Sequence, residues 1–155
     1  MKLADLHFKP KYQKIHIYED FYILLERMTK PELNKIVRNN TVLKGDNEVE
    51  IKTVKVKTPN GFVEVSGISV ALAKKIKGWE GLTGKILKQL LPDLEVNIDD
   101  EEEIEYDATG AILLVAYGSI PSDDGSYKQF EEVLMDHVNS IVSNIESEVE
   151  DTEKK

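Results

Sequence analysis

The sequence predicts a mixed α+β fold, with an N-terminal antiparallel sheet that is packed by C-terminal helices. Up to residue 70, segments rich in Val, Ile, Tyr and Phe alternate with turn residues, a pattern typical of strands. From Ala71 onward the apolar residues recur at helical spacing instead. The length of 155 residues and the hydrophobic share of 41% suit one globular domain. We expect it to span residues 1–147, with a β-rich part (1–70), a helical part (71–147) and a frayed tail (148–155).

The first elements are two predicted strands and a helix. Apolar and aromatic residues fill Lys14–Glu19 and Phe21–Met28, and Glu19-Asp20 between them favours a turn. A helix should begin near Thr29, with Thr29 or Lys30 at the cap and Pro31 near the first turn, which is a common helix start. Asn39-Asn40 should end it.

A β-hairpin over Val49–Val70 is the clearest local prediction. Its two β-branched runs flank Pro59-Asn60-Gly61, and an Asn-Gly pair favours a tight turn because both residues tolerate positive φ. The apolar alternation changes phase between Ile51 and Val54, which indicates a bulge or a twist at that point.

Three helices are expected to follow the hairpin. The first covers Ala71–Lys77 and ends at Gly78, and the second covers Thr83–Leu91 and ends at Pro92. An acidic loop over residues 93–107 should then remain in solvent, since seven of the nine residues at 99–107 are Asp or Glu. Asp107 can cap the third helix, Ala108–Tyr117.

The longest predicted helix begins at Ser126, which forms a capping-box pattern with Gln129, and runs to about Ser147. Its apolar stripe can either pack on the sheet or bind a partner protein. The lone Trp79 likewise either fills the core or marks a contact surface. The candidate partner-binding residues are therefore Trp79, Phe130, Leu134, Val138, Ile141 and Ile145.

The sequence offers no recognisable catalytic or cofactor site. There is no cysteine, and the three histidines, at positions 7, 16 and 137, are not at metal-ligand spacing. The run Asp99–Glu103 lacks the glycine and the alternation of a calcium loop. No phosphate-binding glycine motif is present. We therefore expect a non-enzymatic protein without metal or cofactor.

The net charge of −9 hides a division along the chain. Residues 1–92 carry 17 basic and 10 acidic side chains, whereas residues 93–155 carry 3 and 19. The two parts either neutralise each other within the fold or serve a charged partner. Lysines at 74, 75, 77, 85 and 88 suit phosphate contacts, but the chain has only two arginines, so nucleic acid is not the expected partner.

The segment Ile76–Leu82 and the later segments resemble a known class of protein. An "I-x-x-W-x-G" element, then Glu105–Ala108 opening an apolar helix, and then a long helix from Ser126 are similar to small proteins of tailed-bacteriophage structural gene clusters. Many of those are tail assembly chaperones or minor virion components. The resemblance covers Ala71–Ile145 and implies a structural or assembly role through protein–protein contact, with no catalytic residues.

These observations lead to three functional expectations. The first is a phage-type structural or tail-assembly protein, the second an acidic inhibitor of a host enzyme or nucleic-acid-binding protein, and the third a lysine-face nucleic acid binder. Residues 1–10 contain no apolar signal-peptide core, and the apolar run Ala111–Tyr117 is too short to span a membrane. We therefore expect no membrane partner and a location in the host cytoplasm or the virion.

Overall fold

The computed structural model describes residues 1–6, 11–95 and 97–139, and these residues form a mixed α+β fold as predicted. A short 3-10 turn, Leu3–Asp5, precedes the regular elements. The strands are β1 Tyr12–Tyr18, β2 Phe21–Glu26, β3 Thr41–Lys44, β4 Glu48–Ile51, β5 Thr53–Thr58, β6 Gly61–Ser66, β7 Ile76–Glu80, β8 Ser119–Pro121 and β9 Tyr127–Gln129. The helices are α1 Lys30–Asn39, α2 Gly67–Ala73, α3 Gly84–Leu90, α4 Ala108–Tyr117 and α5, residues 130–139.

The central sheet is antiparallel and has the order β1-β2-β7. β1 and β2 meet at the predicted turn, where Glu19 adopts a φ of 51°. The third strand was not predicted, because the helix expected over Ala71–Lys77 lies earlier, at Gly67–Ala73. Ile76–Glu80 is instead extended and pairs with β2, with Trp79 opposite Ile23. Alternation of buried Ile76 with exposed Lys77 suits a strand at the sheet edge.

The predicted hairpin forms between β5 and β6. Pro59 and Asn60 make its turn, and Gly61, with a φ of 120°, is the first residue of β6. The hairpin is, however, shorter than Val49–Val70 and is a two-stranded sheet of its own rather than part of the central sheet. Val49–Ile51 belongs to a separate hairpin of β3 and β4. The chain changes partners at Lys52, whose N–H donates to Asn40 O and whose carbonyl accepts from Gly67 N–H. This exchange explains the change of phase between Ile51 and Val54.

Three helix starts follow their capping residues. Thr29, Thr83 and Asp107 accept hydrogen bonds from the backbone N–H groups of the first turns of α1, α3 and α4, respectively. Each cap satisfies a donor that the helix itself leaves without a partner. The predicted bounds of α4, Ala108–Tyr117, are confirmed.

The last helix begins later than predicted. Ser126 does not cap it: its hydroxyl donates to Asp124, and the next residues form β9, which pairs with β8. Helix α5 therefore starts at residue 130. The expected continuation to Ser147 lies outside the described residues.

One hydrophobic core joins the central sheet to the helices. Phe21 and Ile23 of β2 belong to one buried cluster with residues of α2, α3, α4 and α5, and the ring centroids of Phe21 and Phe130 lie 6.5 Å apart. Helix α2 packs against α4. Among the described residues, no helix is both long and apolar enough to cross a membrane.

Candidate binding groove

An apolar groove of about 490 Å³ lies between α3, α4 and the end of β7. Its volume is within the range of about 300–1,000 Å³ that is typical of ligand pockets. Apolar residues form most of its lining, among them Trp79, Leu82, Leu87, Leu91, Leu113 and Leu114. At its mouth, Leu94 and Tyr117 remain 42% and 52% exposed. The fold therefore leaves a concave apolar surface in contact with solvent.

Trp79 occupies one wall of this groove and is held in a defined orientation. Its indole N–H donates to Ile104 O at 2.8 Å. The rings of Trp79 and Tyr106 also meet edge to face, with centroids 5.0 Å apart and an interplanar angle of 79°. Such an edge-to-face pair adds about 0.5–1.5 kcal/mol beyond the burial of area. The tryptophan is therefore both a structural residue and part of the groove surface.

The acidic segment, residues 93–107, contributes lining residues beside Trp79. Its last part is not the solvated loop expected from its composition, because it is bonded to β7 and to the turn that follows. Ile104 N–H donates to Leu82 O at 2.8 Å, and Tyr106 Oη donates to Ile76 O at 2.7 Å. Charged side chains from Asp99 to Glu103 do remain exposed, as expected. An apolar Ile and an aromatic Tyr among seven acids were the sequence signal for this packing.

The rim of the groove is acidic. Asp93, Glu105 and Asp107 lie among the lining residues, and Asp107 also caps α4. The acidic segment holds nine carboxylates and no lysine or arginine. In the part of the chain that the structure describes, one ion pair involves it, between Lys88 and Asp100 at 3.0 Å. The segment therefore gives the groove a negative edge that the fold itself neutralises little.

Of the five lysines that suit phosphate contacts, Lys85 and Lys88 lie on α3, whereas Lys75 and Lys77 do not line the groove and have internal partners. Lys75 contacts Glu32 at 3.3 Å and Glu26 at 3.9 Å, and Lys77 lies 3.7 Å from Glu26. Burial alone would raise the pKa of Glu32, but the hydrogen bonds from Lys75 and Thr29 lower it on balance. These contacts reduce the positive charge available to a phosphate backbone.

The structure separates the predicted partner-binding residues into three groups. Trp79 lies in the groove. Phe130, Leu134 and Val138 are 0%, 1% and 2% exposed and pack in the core, which is the alternative that the sequence left open for the stripe. Ile141 and Ile145 lie outside the described residues. Their part in binding stays a prediction, and in this conformation a partner reaches only Trp79 among the described ones.

The remaining groove residues were not singled out from the sequence, although a signal for them exists. Ile86 and Leu90 of α3 are buried in the core, while Leu87 and the following Leu91 line the groove. These four apolar residues cover a wider arc of the helix surface than packing against one neighbouring element needs. Helix α4 is apolar around most of its circumference for the same reason, with Leu113 facing the groove. Helices that are too apolar for one neighbour were the sign of a second apolar surface.

The two described histidines are apart from the groove. His16 Nε2 lies 2.6 Å from Glu19 O, and His137 Nε2 lies 3.5 Å from Gln13 Oε1. Burial lowers the pKa of His137 and favours its neutral form. Within residues 1–6, 11–95 and 97–139, no cluster of three or more potential metal-binding side chains occurs.

No protein-family model matches this chain, and neither a curated protein nor a solved structure matches it. Similarity to known proteins thus adds nothing to the choice of function.

Proposed function

We propose that this protein is a non-enzymatic assembly protein of the phage tail type, which binds another protein through the groove around Trp79. The observation that carries the proposal is the apolar groove, with a volume of about 490 Å³ and a tryptophan in its wall. The resemblance of Ile76–Leu82 to phage structural proteins suggests a protein partner, and the groove is a specific surface that could bind one.

The chemistry of the groove suits a protein contact. Apolar surface left in water costs about 25 cal/mol per Å², so covering the exposed parts of Leu94 and Tyr117 is favourable. Tryptophan and tyrosine are enriched among the residues that dominate binding energies at interfaces. Trp79 is already oriented by its bond to Ile104, so little side-chain entropy remains to be lost on binding.

A second candidate function is an acidic inhibitor that binds a host enzyme or a nucleic-acid-binding protein. The observation in its favour is the acidic segment, with nine carboxylates and one described ion pair. The two candidates differ in their response to salt. A contact made mainly by charge weakens steeply as salt screens it, whereas an apolar contact persists.

The test is an affinity pull-down with the full-length protein from a nuclease-treated native lysate, washed at low and at high salt and read by mass spectrometry. Tail or capsid proteins recovered at both salt concentrations would support the assembly function. A single basic host protein, lost at high salt, would favour the inhibitor instead.

A matched pair of variants connects the result to the groove. Leu113→Gln places a polar amide in the groove wall. Leu43→Gln makes the same change on β3, where the leucine is 78% exposed and does not line the groove. We expect the first variant to lose the partner and the second to keep it, with circular dichroism confirming that both are folded. If Leu113→Gln recovers the same proteins in the same amounts, the groove is not the binding site.

A further inference from the structure

The groove combines an apolar lining with a carboxylate rim, and this combination specifies the chemistry of its occupant. We propose that it binds a basic amphipathic segment of a partner protein, with apolar side chains on the face that enters the groove and Lys or Arg beside them. This inference rests on the proposed function, since it names the partner class for the same site.

The charge around the groove is the first argument. Asp93 and Glu105 lie among the lining residues and are both exposed. In the described part of the chain neither of them has an ion-pair partner, and the acidic segment as a whole makes one such pair, Lys88–Asp100. Carboxylates gathered at one edge repel one another, and an occupant that carries lysine or arginine relieves this repulsion.

The shape of the groove is the second argument. Part of its apolar lining comes from α3 and the residue after it, Leu87 and Leu91, and part from Leu113 of α4. A groove between two helices accepts the apolar side of an amphipathic segment, whose anchors recur at i, i+3, i+4 and i+7 when the segment is helical. The charged face of the bound segment then lies beside the acidic rim of the groove.

Charge also argues against this chain's own C-terminal residues as the occupant. Residues 140–155 carry five acidic and two basic side chains, so they have the same sign as the rim. A second copy is the other internal candidate, because Lys55, Lys57 and Phe62 share one exposed face of the β5–β6 hairpin, on which Glu64 lies opposite Lys55. The experiment below separates a second copy from a different partner.

Trp79 provides a direct assay, because it is the only tryptophan of the chain and lies in the groove wall. The probes are synthetic, tryptophan-free peptides of about 18 residues, which span about 27 Å when helical. One peptide has leucines at helical spacing and lysines on the other face. A second has glutamates in place of the lysines, and a third keeps the lysines but has serines in place of the leucines. Binding is read from the emission of Trp79 in the full-length protein.

We expect the leucine–lysine peptide to bind and the other two to bind at least tenfold more weakly, because the first pairs with both the lining and the rim. The variant Asp93→Asn/Glu105→Gln removes two rim charges and should weaken this binding roughly fivefold. Its control, Asp46→Asn/Glu48→Gln, removes two charges from the β3–β4 hairpin, which does not line the groove, and should leave the affinity unchanged.

Other outcomes would overturn the inference in distinguishable ways. Equal binding of the lysine and glutamate peptides would refute the basic partner while leaving a protein-binding groove in place. Equal weakening by both double variants would mean that net charge, and not the rim, attracts the peptide. No binding by any peptide would also refute the inference, whereas the proposed function would still be decided by the Leu113→Gln pull-down. A dimer in light scattering that the peptide cannot dissociate, and that Leu113→Gln dissociates, would identify a second copy as the occupant.

Discussion

The substitution Gly81→Ala tests how closely the turn after β7 is packed. Gly81 has a φ of +74°, in the left-handed region that favours glycine. A Cβ at this position would overlap the carbonyl oxygen of Asp20, in the turn between β1 and β2. The two turns therefore touch backbone to backbone, and neither can yield as a flexible side chain would.

The expected loss of stability follows from these two observations. Placing alanine in the left-handed region costs about 1–2 kcal/mol. Relieving the overlap requires a backbone shift, and overpacking of this kind costs about 1–3 kcal/mol. Gly81→Ala should thus lower the free energy of unfolding by roughly 2–5 kcal/mol, out of the total of about 5–15 kcal/mol that is usual for a domain.

Urea unfolding, followed by circular dichroism and by the emission of Trp79, measures this loss. Gly78→Ala is the matched control, because Gly78 lies three residues earlier in β7 and a Cβ there would meet no atom within 4 Å. It should change the free energy of unfolding by less than about 1 kcal/mol, with a gain more plausible than a loss because glycine weakens a strand. Equal losses in the two variants would show that the turns are not in the contact described, and the reasoning would fail.

Three further predictions concern the core, the groove wall and the pH dependence. Leu134→Ala should lower the free energy of unfolding, measured with urea, by about 2–5 kcal/mol because the side chain is 1% exposed. The control Glu132→Ala changes an exposed residue and should be nearly neutral. Equal, small losses in both variants would mean that α5 does not pack as described. Trp79→Phe should cost about 1–3 kcal/mol and speed amide exchange near Ile104, whose carbonyl loses its donor; unchanged exchange would contradict this. Burial lowers the pKa of His137, so its contribution to stability is present above about pH 6.5 and is lost as the pH falls through the folded-state pKa. In the variant His137→Gln, the urea midpoint of unfolding should depend less on pH than in the wild type. Parallel curves of midpoint against pH for the two proteins would refute this prediction.

Local signals in the sequence predicted the elements whose stability is decided locally. The caps at Thr29, Thr83 and Asp107 fix helix starts because a single side chain satisfies a backbone donor of the first turn. Pro59-Asn60-Gly61 likewise fixes a hairpin, because Pro59 and Asn60 form the turn and Gly61 supplies a positive φ at the start of β6. These elements lie where the sequence predicted them.

Elements that depend on distant partners were harder to predict. The run Ile76–Glu80 is a strand because it pairs with the free edge of β2, and no residue pattern within the run indicates this pairing. Ser126 and Gln129 match a capping box, yet Tyr127–Gln129 pairs with β8 and delays the helix. In both cases a tertiary pairing replaced the local preference.

The candidate site depends on both kinds of information. Trp79 was singled out because it is the only tryptophan, but its neighbours in the groove come from α3, α4 and the acidic segment, which are separate in sequence. The sequence shows that α3 and α4 carry more apolar residues than one packing face needs. It does not show which face of each helix the fold leaves uncovered. The apolar stripe of α5 is the opposite case. Phe130 and Leu134 were equally good candidates for partner binding, but both lie in the core.

The charge division along the chain also acquires a physical meaning from the ion pairs. Within the described residues there are eight ion pairs, and six of them join side chains that all precede residue 93. One lies between Lys128 and Asp136, and only Lys88–Asp100 connects the basic part to the acidic part. Direct ion pairs between the two parts are therefore rare among the described residues. Asp93 and Glu105 at the groove take part in none of the described pairs, so their charge is available to a basic partner.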